Sequence, residues 1–274
     1  MKHPIWITII LITMFIIAQV FGLFVFSKYM NVVTKMPNKN TPIGQIQSNE
    51  LKDFNWQFII IIVCAILIGT GICLYLIRSQ KFNLLRLWVG TALFVNLLIA
   101  MGAFYPIIIA ITLATILTAA RLLLTTWKHY QYLHNATELM LYGGFATLFA
   151  FVLNVWAVVI LLIIVSIYDM IAVWKSKHMI IMAKGLIKNN IFSGLLINYK
   201  GKKAILGGGD IAFPLLASVV ILRNFGWSAA LCVIAGSTAA LITLFAISRK
   251  GKFYPAMPYL SAGTFIGMLA GWLI

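Results

Sequence analysis

Apolar stretches long enough to cross a bilayer follow one another along nearly the whole chain, separated by short segments rich in lysine and arginine. A spanning helix needs about 20 mainly apolar residues. Nine stretches meet or approach that length: 5–27, 56–77, 84–103, 105–124, 138–152, 154–174, 204–223, 228–247 and 256–274. With 62% hydrophobic and 9% charged residues, the composition is that of a chain dissolved in lipid. Hydrophobicity runs around every side of these segments, and small residues are scattered within them. That suits packed spanning helices and not the alternating strands of a barrel. The sequence therefore predicts an all-α polytopic membrane protein, one domain over 1–274 with nine transmembrane helices. The first stretch follows Met1, Lys2 and His3 as in a signal peptide, but it is too long and lacks a clear small-x-small cleavage site. It is expected to stay as an anchor.

Cations set the orientation. With the N-terminus inside, the cytoplasmic segments hold Lys2, Arg78, Lys81, Arg86, Arg121, Lys128, Lys175, Lys177, Lys184, Lys188, Lys200, Lys202, Lys203, Arg249, Lys250 and Lys252. The outer segments hold only Lys28, Lys35, Lys39, Lys52 and Arg223. This asymmetry is the positive-inside pattern, and an even number of spans would scramble it. The expected topology is a cytoplasmic N-terminus and an extracytoplasmic C-terminus in the cell membrane. The formal charge of +16 reads as topology and contact with anionic membrane lipids. Nucleic-acid binding is excluded, because there is no basic stripe with interleaved aromatics on a soluble domain.

Two connections are long. Residues 28–55, with Pro37, Pro42 and Gly44, form a polar outside loop. Residues 175–203 form a basic cytoplasmic loop with seven lysines and no acid, whose middle, Ile180 to Leu196, reads as an amphipathic surface segment or a partly disordered loop. Cys64, Cys73 and Cys232 lie within spans and read as small buried apolar residues, with no metal-ligand spacing.

Only five acidic residues occur, and Asp169 and Asp210 are written into spans. A carboxylate in hydrocarbon is costly unless paired, protonated or wetted, so it marks a functional position. Asp169 lies six residues before Lys175 and Asp210 seven after Lys203, which puts both about 9 to 10 Å below the same surface at 1.5 Å per residue. Consecutive spans are usually neighbours, so the two carboxyl groups can face each other. Such a pair titrates as a unit and shares one proton, which lets one oxygen deprotonate a water while the other hydrogen-bonds the carbonyl under attack. The plainer alternative gives each acid a purely local role, in which Asp210 caps a helix start after three glycines and Asp169 reaches Lys175 or Lys177.

Around these residues the chain reads Tyr168-Asp169, then Gly207-Gly208-Gly209-Asp210, then Pro255-Ala256-Met257-Pro258 at the start of the last stretch. In order and spacing these resemble the Tyr-Asp, Gly-x-Gly-Asp and Pro-Ala-Leu signatures of the presenilin and signal peptide peptidase superfamily of intramembrane aspartyl proteases. The resemblance covers essentially the whole chain and looks most like the archaeal members. It implies nine helices with the signatures on the sixth, seventh and ninth, catalysis by Asp169 and Asp210, and transmembrane-helix peptides as substrates. No metal, organic cofactor or accessory subunit is implied. Two departures stand out: Met257 replaces the family leucine, a volume-conserving swap, and Gly208 at the variable position adds backbone freedom.

Physical logic supports the same residues. A peptide bond in a spanning helix is shielded by its own turn, so a protease must unwind it and offer new backbone partners, as strand addition does. Pro255 and Pro258 interrupt helical bonding, and Gly207, Gly208 and Gly209 allow a backbone to approach, although proline is also common in a first helical turn. Tyr168 is either a substrate-positioning group or an ordinary interfacial aromatic. Zinc chemistry of the His-Glu-x-x-His type is ruled out because neither Glu50 nor Glu138 has that context, and all four histidines fall in predicted cytoplasmic segments, away from any buried serine. The competing class is a proton- or cation-coupled transporter or channel using the same aspartates, but the inverted repeats it would carry are not visible.

Overall fold

The computed structural model describes residues 4–30, 56–126, 129–175, 178–199, 202–248 and 254–274. Its helices, in chain order, are α1 (Ile5–Tyr29), α2 (Trp56–Arg78), α3 (Phe82–Gly102), α4 (Ile107–Leu123), α5 (Tyr130–Ala150), α6 (Val155–Met170), α7 (His178–Lys188), α8 (Gly208–Phe225), α9 (Trp227–Ile247) and α10 (Met257–Leu273). A π-helical turn (Ile171–Lys175) continues α6, and two strands, β1 (Gly194–Tyr199) and β2 (Lys202–Gly207), precede α8. Among the described residues, six helices are long and apolar enough to cross a membrane: α1, α2, α3, α6 with its π turn, α8 and α9. Helix α4 is apolar but shorter.

Helix α8 is the central post. One face after another is buried from Ile211 to Leu222, because α1, α5, α6, α9 and α10 all pack on it. The first helix is therefore more than an anchor: Ile7, Leu11, Phe15 and Phe26 lie in the main core, and Gln19 donates from Nε2 to the carbonyl of Ile211 at 3.1 Å. Helix α2, by contrast, presents Ile60, Ile61, Leu67 and Ile68 outward, as a peripheral lipid-facing helix does. Helices α9 and α10 meet along small residues. A Cβ on Gly236 would strike the carbonyl of Gly263, and one on Gly267 would strike the backbone of Cys232 and Val233, so glycine is what lets these backbones touch.

Several sequence expectations need correction. The fold is not purely α: an antiparallel hairpin pairs Gly194 with Gly207 through Tyr199 with Lys202. The loop expected at 175–203 is thus a π turn, the helix α7 and strand β1, and the helix expected from 204 begins at Gly208 because 204–207 belong to β2. The stretch expected at 138–152 is helical from Tyr130 to Ala150, eight residues earlier. Its first turns carry Gln131, His134 and Asn135, whose polar side chains are used inside the protein. Cys64 is exposed, Cys73 is buried and Cys232 is half-buried, so the cysteines are not uniformly interior. The polar loop expected at 28–55 lies outside the described residues from position 31 to 55.

Candidate active site

Asp210 occupies the third position of α8, whose N-cap is Gly207 in an extended conformation (φ −63°, ψ 147°). The Gly207 N–H donates to the Asp210 carboxylate. This is one half of a capping box, in which an acid at the third position reaches back to the N-cap amide, and the helix dipole favours a negative group there. The capping role is real, but it leaves the carboxyl group free to meet others. Pro214, inside α8, has no N–H for the carbonyl of Asp210, so the first turn is opened where the acid sits.

Asp169 lies in the last turn of α6 and is buried, with 5% of its surface exposed. It does not turn to Lys175. The Met257 N–H donates to its Oδ2 at 3.0 Å, and the Ala256 N–H is also directed at the carboxylate. These are the N-cap and first residue of α10, so the Pro-Ala-Met-Pro segment offers Asp169 a helix N-terminus. Pro255 and Met257 are buried, Ala256 and Pro258 half-buried. Pro258, in the first turn, lacks an N–H that would have no helical partner in any case. Beneath, Ser166 and Ser261 share a 2.8 Å hydrogen bond that ties α6 to α10.

Helices α6 and α8 pack together, and the Asp169 and Asp210 carboxyl groups are near enough for their charges to interact. The structure thus brings together both acids, Gly207, and the Ala256 and Met257 amides. Tyr168 is half-buried on α6 beside Asp169, Gly208 is half-buried, and Gly209 is exposed on the first turn of α8.

Residues that the sequence reading passed over surround the hairpin. The polar face of α5 binds the outer edge of β1 like a further strand: Asn135 accepts from the Leu196 N–H at 3.0 Å and donates to the Leu196 carbonyl at 2.9 Å. Gln131 Oε1 accepts from the Asn198 N–H at 3.1 Å, and His134 Nε2 lies 2.8 Å from the Gly194 carbonyl. His134, expected in an exposed segment, is buried by this contact. Glu138 is fully buried and paired with Arg121. The available signal was that Glu138, like the two aspartates, is an acid attached to an apolar stretch.

Fold and site together define a polytopic helical protein with paired acids held at helix starts. The sequence matches the signal-peptide peptidase, presenilin aspartyl protease family over residues 12–274, and the chain belongs to that family. It is accordingly an intramembrane-cleaving aspartic endopeptidase by class. Two solved structures of a presenilin family intramembrane aspartate protease share the fold. The one in space group C222 has a TM-score of 0.67 at 20% identity, covering 97% of this chain and 98% of that one. The one in space group P2 has a TM-score of 0.67 at 21% identity, covering 96% of each chain. No curated protein matches at a significant level.

Proposed function

We propose that the protein hydrolyses peptide bonds within transmembrane helices of membrane-protein substrates, using Asp169 and Asp210 as an acid–base dyad around one water. The observation that carries this is the convergence of two acids on adjacent helices, within Coulombic reach of each other and each tethered by backbone amides. Fixed donors hold the carboxyl groups in place, so little reorganisation is needed as charge shifts in the transition state.

The ionised carboxyl takes a proton from the water as its oxygen bonds to the scissile carbonyl carbon. The protonated carboxyl gives its proton to the carbonyl oxygen. The tetrahedral intermediate then collapses: the C–N bond breaks, the nitrogen leaves with the proton of one carboxyl, and the other carboxyl takes a proton from a hydroxyl of the intermediate, which restores the one-proton dyad. No metal or organic cofactor has a step here.

Substrate is presented as a strand. The outward polar groups of β1 at Gly194, Leu196 and Asn198 are taken by α5 side chains. By antiparallel alternation their partners Gly207, Ile205 and Lys203 point their N–H and C=O groups to the opposite side of the hairpin, where the Gly207 N–H is already taken by Asp210. An unwound substrate adds there, along β2, which leads within three residues to Asp210.

The proposed topology has nine spans in the cell membrane, with the N-terminus cytoplasmic and the C-terminus outside. This is the orientation of presenilin-like members and opposes that of signal peptide peptidase-like ones, so the preferred substrates have their own N-terminus outside. Purified protein is given two single-span reporters of opposite orientation in vesicles, and the products are weighed. Faster cleavage of the outside-N-terminus reporter supports this reading, and equal turnover refutes the preference. Absence of any cleavage within the span would refute the activity.

A further inference from the structure

Glu138 is a further acid inside the protein, fully buried, and hydrolysis does not use it. Its carboxylate collects four donors: Arg121 Nη2, the Tyr142 hydroxyl at 2.6 Å, Ser193 Oγ at 3.1 Å and the Gly194 N–H at 3.0 Å. Arg121 takes Oε1, and the other three donors converge on Oε2. Arg121 in turn donates to Thr137 Oγ1 at 2.7 Å and to the carbonyls of His134 and Phe192 at 3.3 and 3.2 Å. A buried ion pair is weak evidence of stabilisation, since well-packed apolar residues often do as well, so the question is what this one holds in place.

It holds both ends of the open side of the hairpin. Gly194 begins β1, and Gly208 follows β2 directly. A Cβ on Gly208 would lie 3.2 Å from Ser193 Oγ and 3.3 Å from the Tyr142 hydroxyl, both of which are bonded to Glu138. The bare backbone of Gly208 therefore rests against the Glu138 cluster, two residues before Asp210. The triple glycine thereby gains a reason: the position between the two family glycines is filled by Tyr142 and Ser193.

We propose that Glu138 is a positioning residue that, through Gly194, Ser193 and Tyr142, fixes the height of Asp210 relative to strand β2 and so selects which substrate peptide bond is cut. The inference rests on the dyad and the β2 docking edge proposed above. If β2 slides against Asp210, the scissile bond changes, whereas a purely structural ion pair would alter only how much protein is folded.

The test uses the purified full chain and a single-span peptide, with product masses, kcat and KM measured for wild type, Glu138→Gln, Tyr142→Phe and Asp210→Asn. The expected result for Glu138→Gln and Tyr142→Phe is new products displaced by one or more residues, with kcat lowered about tenfold to a hundredfold, as for a displacement near 1 Å, and KM changed less. Products at the wild-type sites in wild-type proportions would overturn the proposal, whatever the yield. Should Glu138→Gln not fold, Tyr142→Phe removes a single hydroxyl and carries the test alone. Asp210→Asn separates the two levels: cleavage surviving in that variant sinks the dyad, while a silent Asp210→Asn beside unchanged products from Tyr142→Phe sinks only the role given to Glu138.

Discussion

Asp169 closes a helix, whereas Asp210 opens one. At the start of α8 the dipole and the Gly207 amide favour a carboxylate, so Asp210 is supported by its own helix. At the end of α6 the dipole opposes one, and the support comes from elsewhere, from the Ala256 and Met257 amides at the start of α10. Two acids thus receive the same kind of support, one locally and one across 88 residues of chain. The lesson is that the Pro-Ala-Met-Pro segment supplies to Asp169 what Gly207 supplies to Asp210. A π turn follows Met170 directly beside Asp169, and such turns are frequent at functional sites.

Removing the acids has the largest effect. Asp169→Asn or Asp210→Asn should lower kcat by about 10³-fold or more, with folding intact by thermal melting; a variant within tenfold of wild type would separate the two acids in role. Deleting the amides comes next. Gly207→Pro keeps φ, already −63°, removes the donor to Asp210 and sets a Cβ 3.0 Å from Asp210 Oδ2. A lost hydrogen bond to a charged group is worth about 1.5–3 kcal/mol, so kcat should fall roughly ten- to a hundredfold. Met257→Pro does the same for Asp169. It also strains Ala256, whose φ −85° and ψ −35° a following proline disfavours, so its loss should be the larger of the two. Equal activity in Met257→Pro and wild type would break the parallel between the two supports. Gly208→Ala crowds Ser193 and Tyr142 by a few tenths of an ångström and should cost about tenfold in kcat, of the order expected for a small misplacement. Met257→Leu is smallest: it keeps the amide and nearly the volume, so activity should stay within about threefold and stability within about 1.5 kcal/mol.

Much of this site was legible in the sequence. Asp169 and Asp210 stood out as acids written into apolar stretches, and their helices do pack together; the Pro-Ala-Met-Pro segment stood out by its signature. What the signature did not convey was the chemistry, namely that Met257 meets Asp169 through its backbone N–H. The hairpin was hidden because Leu195-Leu196-Ile197 and Ala204-Ile205-Leu206 are short apolar runs, which periodicity cannot separate from helix. Their alternation shows only in burial: Leu195, Ile197, Ala204 and Leu206 are interior while Leu196 and Ile205 are half-buried. The early start of α5 was hidden for the converse reason. Gln131, His134 and Asn135 read as a solvated segment, yet their polar groups are consumed by the backbone of β1, a partner 60 or more residues away.

The claim that Asp169 and Asp210 act as one site is tested most directly by the affinity of a peptide mimic carrying a hydroxyl in place of the attacked carbonyl. It should bind wild type tightly and lose affinity in both Asp169→Asn and Asp210→Asn, by similar factors of about a hundredfold or more, the lower range by which such analogues exceed substrates. Wild-type affinity in either single variant would mean that only one of the two carboxyl groups touches the reacting centre.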